Sequence, residues 1–366
     1  MGGDTGRLAG QILRDESVTC QIYGAVAQLA EHRGKTRDGS STPPCSTFFP
    51  QSVFNSDVAA KSMVKYVAAA VCLKCFSSHS LTRRLYRALG NRVGGRRRRT
   101  GAMPAYYPDR VKRILRLNRQ HGIVRNGDRI LELGTGWLHW EALTLRLFYD
   151  IESVLYDVWD NRQLGGLKNY VRQLGLLLDD GFGLSTGELQ RARSIIDQIV
   201  RVESFDELYK LLNFEYVIDS SGSLSRFADN SFQLVVSGGV LEHVDRAALP
   251  GLAVDTHRVL KPGGWAVHSI DTSDHLSHYD PSVSKKRYVG FSETTWRLLC
   301  DNEVQAINRV QRGEWLDLFK KGGFELVEEE LREVDISDLS IAPRFAGMDK
   351  RDLATTVVRL TMRKRS

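Results

Sequence analysis

The chain has no uninterrupted apolar run near 18 residues, which excludes a membrane-spanning helix of ordinary length. Cysteine is scarce and odd in number. Of the five, Cys20, Cys45, Cys72 and Cys75 lie in the N-terminal part and only Cys300 lies further on, so no disulfide framework is implied and a reducing cytoplasm fits. Cys72 and Cys75 make one CxxC with no second pair, which favours two unrelated helical cysteines over a zinc or redox site. Acidic residues are sparse at one end only: residues 1–110 hold 17 Lys+Arg against 7 Asp+Glu, whereas residues 111–366 hold 34 against 37. The overall charge of +7 therefore belongs to the N-terminal region, and a slightly acidic remainder argues against a basic groove for nucleic acid.

What is present is organised around Arg129–Trp137, RILELGTGW, a short apolar run ending in an acidic residue and two glycines one residue apart. The run reads as a buried strand, and the stretch after it, with Trp140, Leu143, Leu145, Leu147 and Phe148, reads as a helix. Glycine suits a strand-to-helix turn whose backbone must lie against a ligand. A dinucleotide fingerprint would place a third glycine where His139 stands, so a pyrophosphate-binding turn is disfavoured.

ELGTGW resembles the first motif of the class I S-adenosylmethionine (SAM) methyltransferases, with Glu132 in the acidic place and Leu138 in place of that family's third glycine. Four further pieces follow in the family's order. Ser153–Asp157 reads as a second strand ending in a carboxylate at about the spacing of a ribose-binding acid, with Asp160 as a competitor for that role. FADNSF over 227–232 and QLVVS over 233–237 resemble the turn and fourth strand, VLEHV over 240–244 the helix start behind it, and RVLKPGG over 258–264 the turn before a fifth strand from Trp265 to Ile270. The resemblance covers residues 108–362. It implies an α/β fold: a doubly wound, Rossmann-like seven-stranded sheet of order 3-2-1-4-5-7-6, with the last strand antiparallel. It also implies SAM as cofactor, with Glu132, Gly134, Thr135 and Gly136 around its methionine part, Asp157 on its ribose, Asp219 and Ser220 near its adenine, and Ser237 at the end of the fourth strand beside it.

Residues 1–62 lack apolar periodicity and are rich in small polar residues, the composition of a disordered segment. Within them, residues 25–44 resemble the peptide obtained when a bacterial tRNA gene is translated conceptually, so the expected start is Met63. Residues 63–107 read as a basic helical extension and linker. Val64, Val67, Val71, Leu81 and Leu85 alternate with Lys65, Lys74, Arg83, Arg84 and Arg87, and the run Arg96–Arg99 follows. Such a segment over 63–99 can contact an anionic membrane surface, or pack on the fold with its arginine run as a solvated linker. Residues 108–366 then form the methyltransferase domain, opened by a helix with Val111, Ile114, Leu115 and Leu117 inward.

Between the second strand and the third, Phe214–Ile218, lies an insertion over 158–213. Its boxes Ser185-x-x-Glu188 and Ser204-x-x-Glu207 mark helix starts. After the fifth strand come Asp271, Asp274, His275, His278 and Asp280, where an open α/β sheet faces its ligand. A hydroxyl accepting a methyl group gains from a base that titrates near neutrality, which makes His275, His278 and His243 the catalytic candidates. The same cluster could hold a metal, but no complete ligand set is evident and none is expected. Further helices follow to a stop at Lys321–Gly323, then strands at 324–329 and 355–362, with Arg344 in the loop between them as an anion contact or a loop tie.

By resemblance, the expected activity is methyl transfer from SAM to a small-molecule acceptor, a sugar hydroxyl in a glycan or lipid-linked precursor, in the cytoplasm or at the periphery of the inner membrane. An RNA or protein methyltransferase, and a SAM-binding partner without catalysis, are the alternatives. Fold alone does not decide among them.

Overall fold

The structure is a computed structural model and describes residues 63–179 and 181–365. The expectations for residues 1–62 therefore lie outside the described residues. In chain order the main elements are α1 (Val64–Ser77), α2 (Ser80–Thr100), α3 (Tyr106–His121), β1 (Arg129–Leu133), α4 (Trp140–Phe148), β2 (Glu152–Asp157), α5 (Leu164–Leu177), α6 (Thr186–Ile199), α7 (Phe205–Leu212), β3 (Phe214–Ile218), β4 (Phe232–Gly238), α8 (Leu249–Val259), β5 (Leu260–Asp271), α9 (Arg312–Lys321), β6 (Phe324–Glu333) and β7 (Thr355–Lys364). The described residues divide into two compact units, one of 63–90, 273–306 and 335–348, the other of 91–272, 307–334 and 349–365.

The larger unit contains the whole seven-stranded sheet, in the order β3-β2-β1-β4-β5-β7-β6. The first five strands pair parallel; β7 runs antiparallel to both β5 and β6. Alternate side chains of each strand feed different layers. Ile130, Leu234, Val236 and Val267 join a core with Val111, Ile114, Leu143 and the insertion helices, whereas Leu131, Leu133, Val235 and Ala266 pack with Trp315, Phe319 and Leu249. Burial on both faces is why β1, β2 and β4 read as nearly continuous apolar runs. The edge strand β6 carries Glu325, Glu328, Glu329 and Glu330, a row of charge that discourages pairing with a further strand.

The insertion is helical as expected. Ser185 caps α6 by accepting from the Glu188 N–H, Ser204 caps α7 by accepting from the Glu207 N–H, and left-handed Asn213 closes α7 just before β3. The arginine run is helical, with Arg96 and Arg99 exposed and Arg98 set against the glycine loop. It forms the last turn of α2, and Arg98 lies over the Trp137 ring at 3.7 Å while donating to Gln163 at 3.0 Å.

The smaller unit is built around a buried polar knot. Tyr66 of α1 donates its hydroxyl to Asp274 at 2.8 Å, and the wholly buried Lys286 donates to Tyr288 at 3.0 Å. Burial pushes the Asp274 carboxyl up to about 6. Arg344 is a loop tie here, paired with Glu293 at 3.2 Å.

Candidate functional site

In the larger unit the glycine loop runs from the end of β1 to the start of α4. Gly134 has φ +62°, and a side chain there would run into Val240 behind it. Gly136 has φ +58°, yet a Cβ on it would come no nearer than 3.8 Å to another atom, so the outer face of the loop is open for a ligand. The Gly136 N–H donates to Asp157 Oδ2 at 2.8 Å, and the Val158 N–H donates to Oδ1 at 2.8 Å. Burial raises the Asp157 carboxyl, and these backbone donors draw it back. The Trp159 N–H also donates to Oδ1, at 3.5 Å, so the lone pair left for a further donor is on Oδ2. Asp219 joins the same corner: its N–H donates to the Asp157 carbonyl at 3.0 Å, while its carboxylate turns back to accept from the Ser221 hydroxyl at 2.7 Å. Ser220, next to it, is exposed.

Three candidates sit elsewhere than at this open face. Glu132 is buried, accepts from the Ala142 N–H at 2.9 Å and so caps α4. Burial, helped by the neighbouring Glu141 carboxylate, holds its carboxyl well above the usual range. Ser237 is buried with its Oγ 2.8 Å from Nδ1 of His268. Asp160 binds Arg162 at 2.7 Å instead of standing in for Asp157.

Of the histidines, His243 ends the short turn Leu241–His243 after β4 and is exposed. His275 and His278 belong to the smaller unit, on the turn His275–Tyr279, with their rings stacked 5.6 Å apart.

A residue whose role the motif did not reveal is His139. It precedes α4 in the left-handed region, φ 52°, the conformation glycine would ordinarily take at that place in a GxGxxG turn. Its Nδ1 lies 2.7 Å from Thr135 Oγ1 and its Nε2 3.0 Å from the Tyr209 hydroxyl, so the glycine loop is braced from the insertion. Burial, with Arg162 nearby, pushes this imidazole down to about 3 and keeps it neutral, one nitrogen donating and the other accepting. The absent third glycine was the one signal in the sequence that pointed to it.

A sheet of order 3-2-1-4-5-7-6 with a glycine loop after β1 and a carboxylate ending β2 defines the class I, SAM-dependent methyltransferase class of fold. The chain belongs to the family described as "Methyltransferase domain", whose model matches residues 96–329. No curated protein matches the sequence. Among solved structures, the chain is similar to a Haemonchus contortus phosphoethanolamine N-methyltransferase 2 in complex with SAM, at 14% identity and TM-score 0.40 over 69% of this chain and 52% of that one. The chain thus spans about half the length of the Haemonchus protein. It is also similar to a SAM-dependent methyltransferase from Methanosarcina mazei, at 16% identity and TM-score 0.37 over 68% of this chain and 97% of that one. A third is the [4+2]-cyclase SpnF, at 16% identity and TM-score 0.39 over 69% of this chain and 80% of that one.

Proposed function

We propose that the protein transfers the methyl group of SAM to a hydroxyl of a small-molecule acceptor, a sugar in a glycan or a lipid-linked precursor. The observation that carries the cofactor assignment is the joining of the open glycine loop to the Asp157 carboxylate through the Gly136 N–H. In this reading Gly134, Thr135 and Gly136 lie along the methionine part of SAM, Asp157 accepts from the ribose, and Asp219 with Ser220 borders the adenine. Glu132 acts from behind by fixing the start of α4.

In the reaction, the acceptor oxygen attacks the methyl carbon in line with the carbon–sulfur bond. That bond breaks, S-adenosylhomocysteine leaves, and the hydroxyl proton passes to a base. His275 is our first candidate for the base, then His278 and His243. Histidine changes charge near neutrality without a large shift, which suits the task.

The reading also places the protein in the cytoplasm, at the periphery of the inner membrane. Among the described residues no helix is long and apolar enough to cross a membrane. Helix α2 carries eight arginines and no acidic residue, with Leu81 74% and Leu85 51% exposed, a composition that suits an anionic lipid surface.

Calorimetric titration of the full chain with SAM, beside Gly136→Arg, whose side chain enters open space, tests the cofactor assignment: micromolar binding lost in the variant is expected. A folded protein that binds no SAM sinks the proposal. Methyl transfer to glycan acceptors by His275→Gln, His278→Gln and His243→Gln then tests the base, whose loss should lower kcat by about 10²–10⁴-fold. Three variants as active as the parent would dismiss all three histidines.

A further inference from the structure

Beneath α3 and α4, on one face of the sheet and toward the carboxyl ends of β4 and β5, lies a cavity of about 30 Å³, room for about two water molecules. Arg110, Arg113 and Arg359 line it together with Ser237, Ser269 and Thr144. Three guanidinium groups converge from two distant segments: α3 supplies two, and Arg359 of β7 stands opposite Ser269 of β5 in the antiparallel register.

Their charge is not fully matched. Arg110 pairs with Glu141, its Nε donating at 2.6 Å, whereas Arg113 at 3.1 Å and Arg359 at 3.3 Å share the single carboxylate of Glu330. Arg116 leans on Glu330 as well, besides Glu328. The three lining guanidinium groups thus rely on two carboxylates, Glu141 and Glu330, because burial holds the carboxyl of nearby Glu132 well above the usual range. An excess positive charge in a partly closed space favours an anion with two coplanar oxygens, because the arginine fork matches carboxylate geometry. Gly238, at the end of β4, is needed for the arrangement: a Cβ there would meet Glu141 Oε1 at 2.9 Å and disturb the Arg110 pair.

We propose that this cavity is a carboxylate subsite for the methyl acceptor, so that the acceptor is an acidic molecule such as a uronic-acid sugar. The inference deepens the function proposed above and rests on it. Ligands of open α/β sheets lie outside the carboxyl ends of the strands, and Ser237 and Ser269 stand one and two residues before the ends of β4 and β5. The volume matches two oxygens in place of two waters. A carboxylate held there by a guanidinium fork fixes the orientation of the sugar it belongs to, which serves in-line attack by a neighbouring hydroxyl.

The test is calorimetry on the full chain with four probes: glucuronate, glucose, S-adenosylhomocysteine, and 5′-methylthioadenosine, which lacks the carboxylate of the cofactor. In the S-adenosylhomocysteine-loaded protein, glucuronate should bind and glucose should not. Arg359→Gln should weaken glucuronate at least about tenfold, Arg359→Lys less so, with both nucleosides unaffected. Glucuronate binding no better than glucose, or untouched by Arg359→Gln, would overturn the subsite. Weakening of S-adenosylhomocysteine but not of methylthioadenosine would overturn it too, since the cavity would then take the cofactor's own carboxylate. Retained binding of methylthioadenosine shows that each variant is folded. Failure of the parent protein to bind either nucleoside would instead strike the proposed function, and glucuronate titrated without nucleoside separates the two failures.

Discussion

The backbone N–H of Gly136 donates to the carboxylate of Asp157 across 2.8 Å, tying the loop after β1 to the end of β2. Two parallel strands paired in register, Leu133 opposite Tyr156, bring these positions together, although 21 residues separate them in the chain. The carboxylate thereby orders the loop, and in the proposed function it also accepts from a ribose hydroxyl.

Asp157→Asn tests both tasks. Losing a charge-assisted bond costs about 1.5–3 kcal/mol, so SAM affinity should fall about ten- to a hundredfold by calorimetry. An unchanged affinity would remove Asp157 from the site.

Gly134→Ala should hurt folding as well as binding. An alanine at φ +62° is strained, and its methyl group would overlap Val240. Together these should destabilise by about 2–4 kcal/mol in urea unfolding. At Gly136, where the space is open, the same substitution should cost only the backbone strain of about 1 kcal/mol while still obstructing the ligand. Equal losses at both positions would contradict this division.

Acid should weaken the fold through His139. Its folded value of about 3 lies below the ordinary 6.5, so the unfolded chain binds the extra proton in that window and stability falls as pH drops from about 6.5 toward 3. His139→Asn keeps a residue that tolerates the left-handed conformation but removes the titration. The variant should start less stable at pH 7 and lose less between pH 7 and 5, as read from urea midpoints. Glu242 works in the opposite sense. Burial, and then the Asp271 charge, push its carboxyl up to about 8, so its contribution is full below about 4.5 and is lost as pH rises through about 8. Glu242→Gln should flatten that fall.

Helix α2 should bring the protein to vesicles containing phosphatidylserine and not to neutral ones. Leu81→Ser with Leu85→Ser should reduce sedimentation with the anionic vesicles, and added salt should reduce it further. Equal partition onto both kinds of vesicle, or none, would dismiss the membrane proposal.

Much of the fold was legible in the sequence because its signals are local. Buried parallel strands write themselves as short apolar runs, glycines mark the turn at 134–136, and Ser185 and Ser204 announce their helices. The order of strands came from the resemblance to the methyltransferase family that these motifs carry. The run Arg96–Arg99 could not be read in this way. Whether an arginine is solvated or stacked depends on a partner such as Trp137, which the helical pattern does not name.

Sequence by itself determined the sheet, the glycine loop and the carboxylate that follows β2, since each rests on a backbone requirement or a burial pattern within a few residues. Tertiary structure alone decided what surrounds them. Glu132 turned inward to cap α4, His139 took the glycine conformation and found Tyr209 seventy residues away, and Arg113 met Glu330 across 217 residues. Side-chain pairing at such separations is set by how the layers stack, and no local periodicity encodes it.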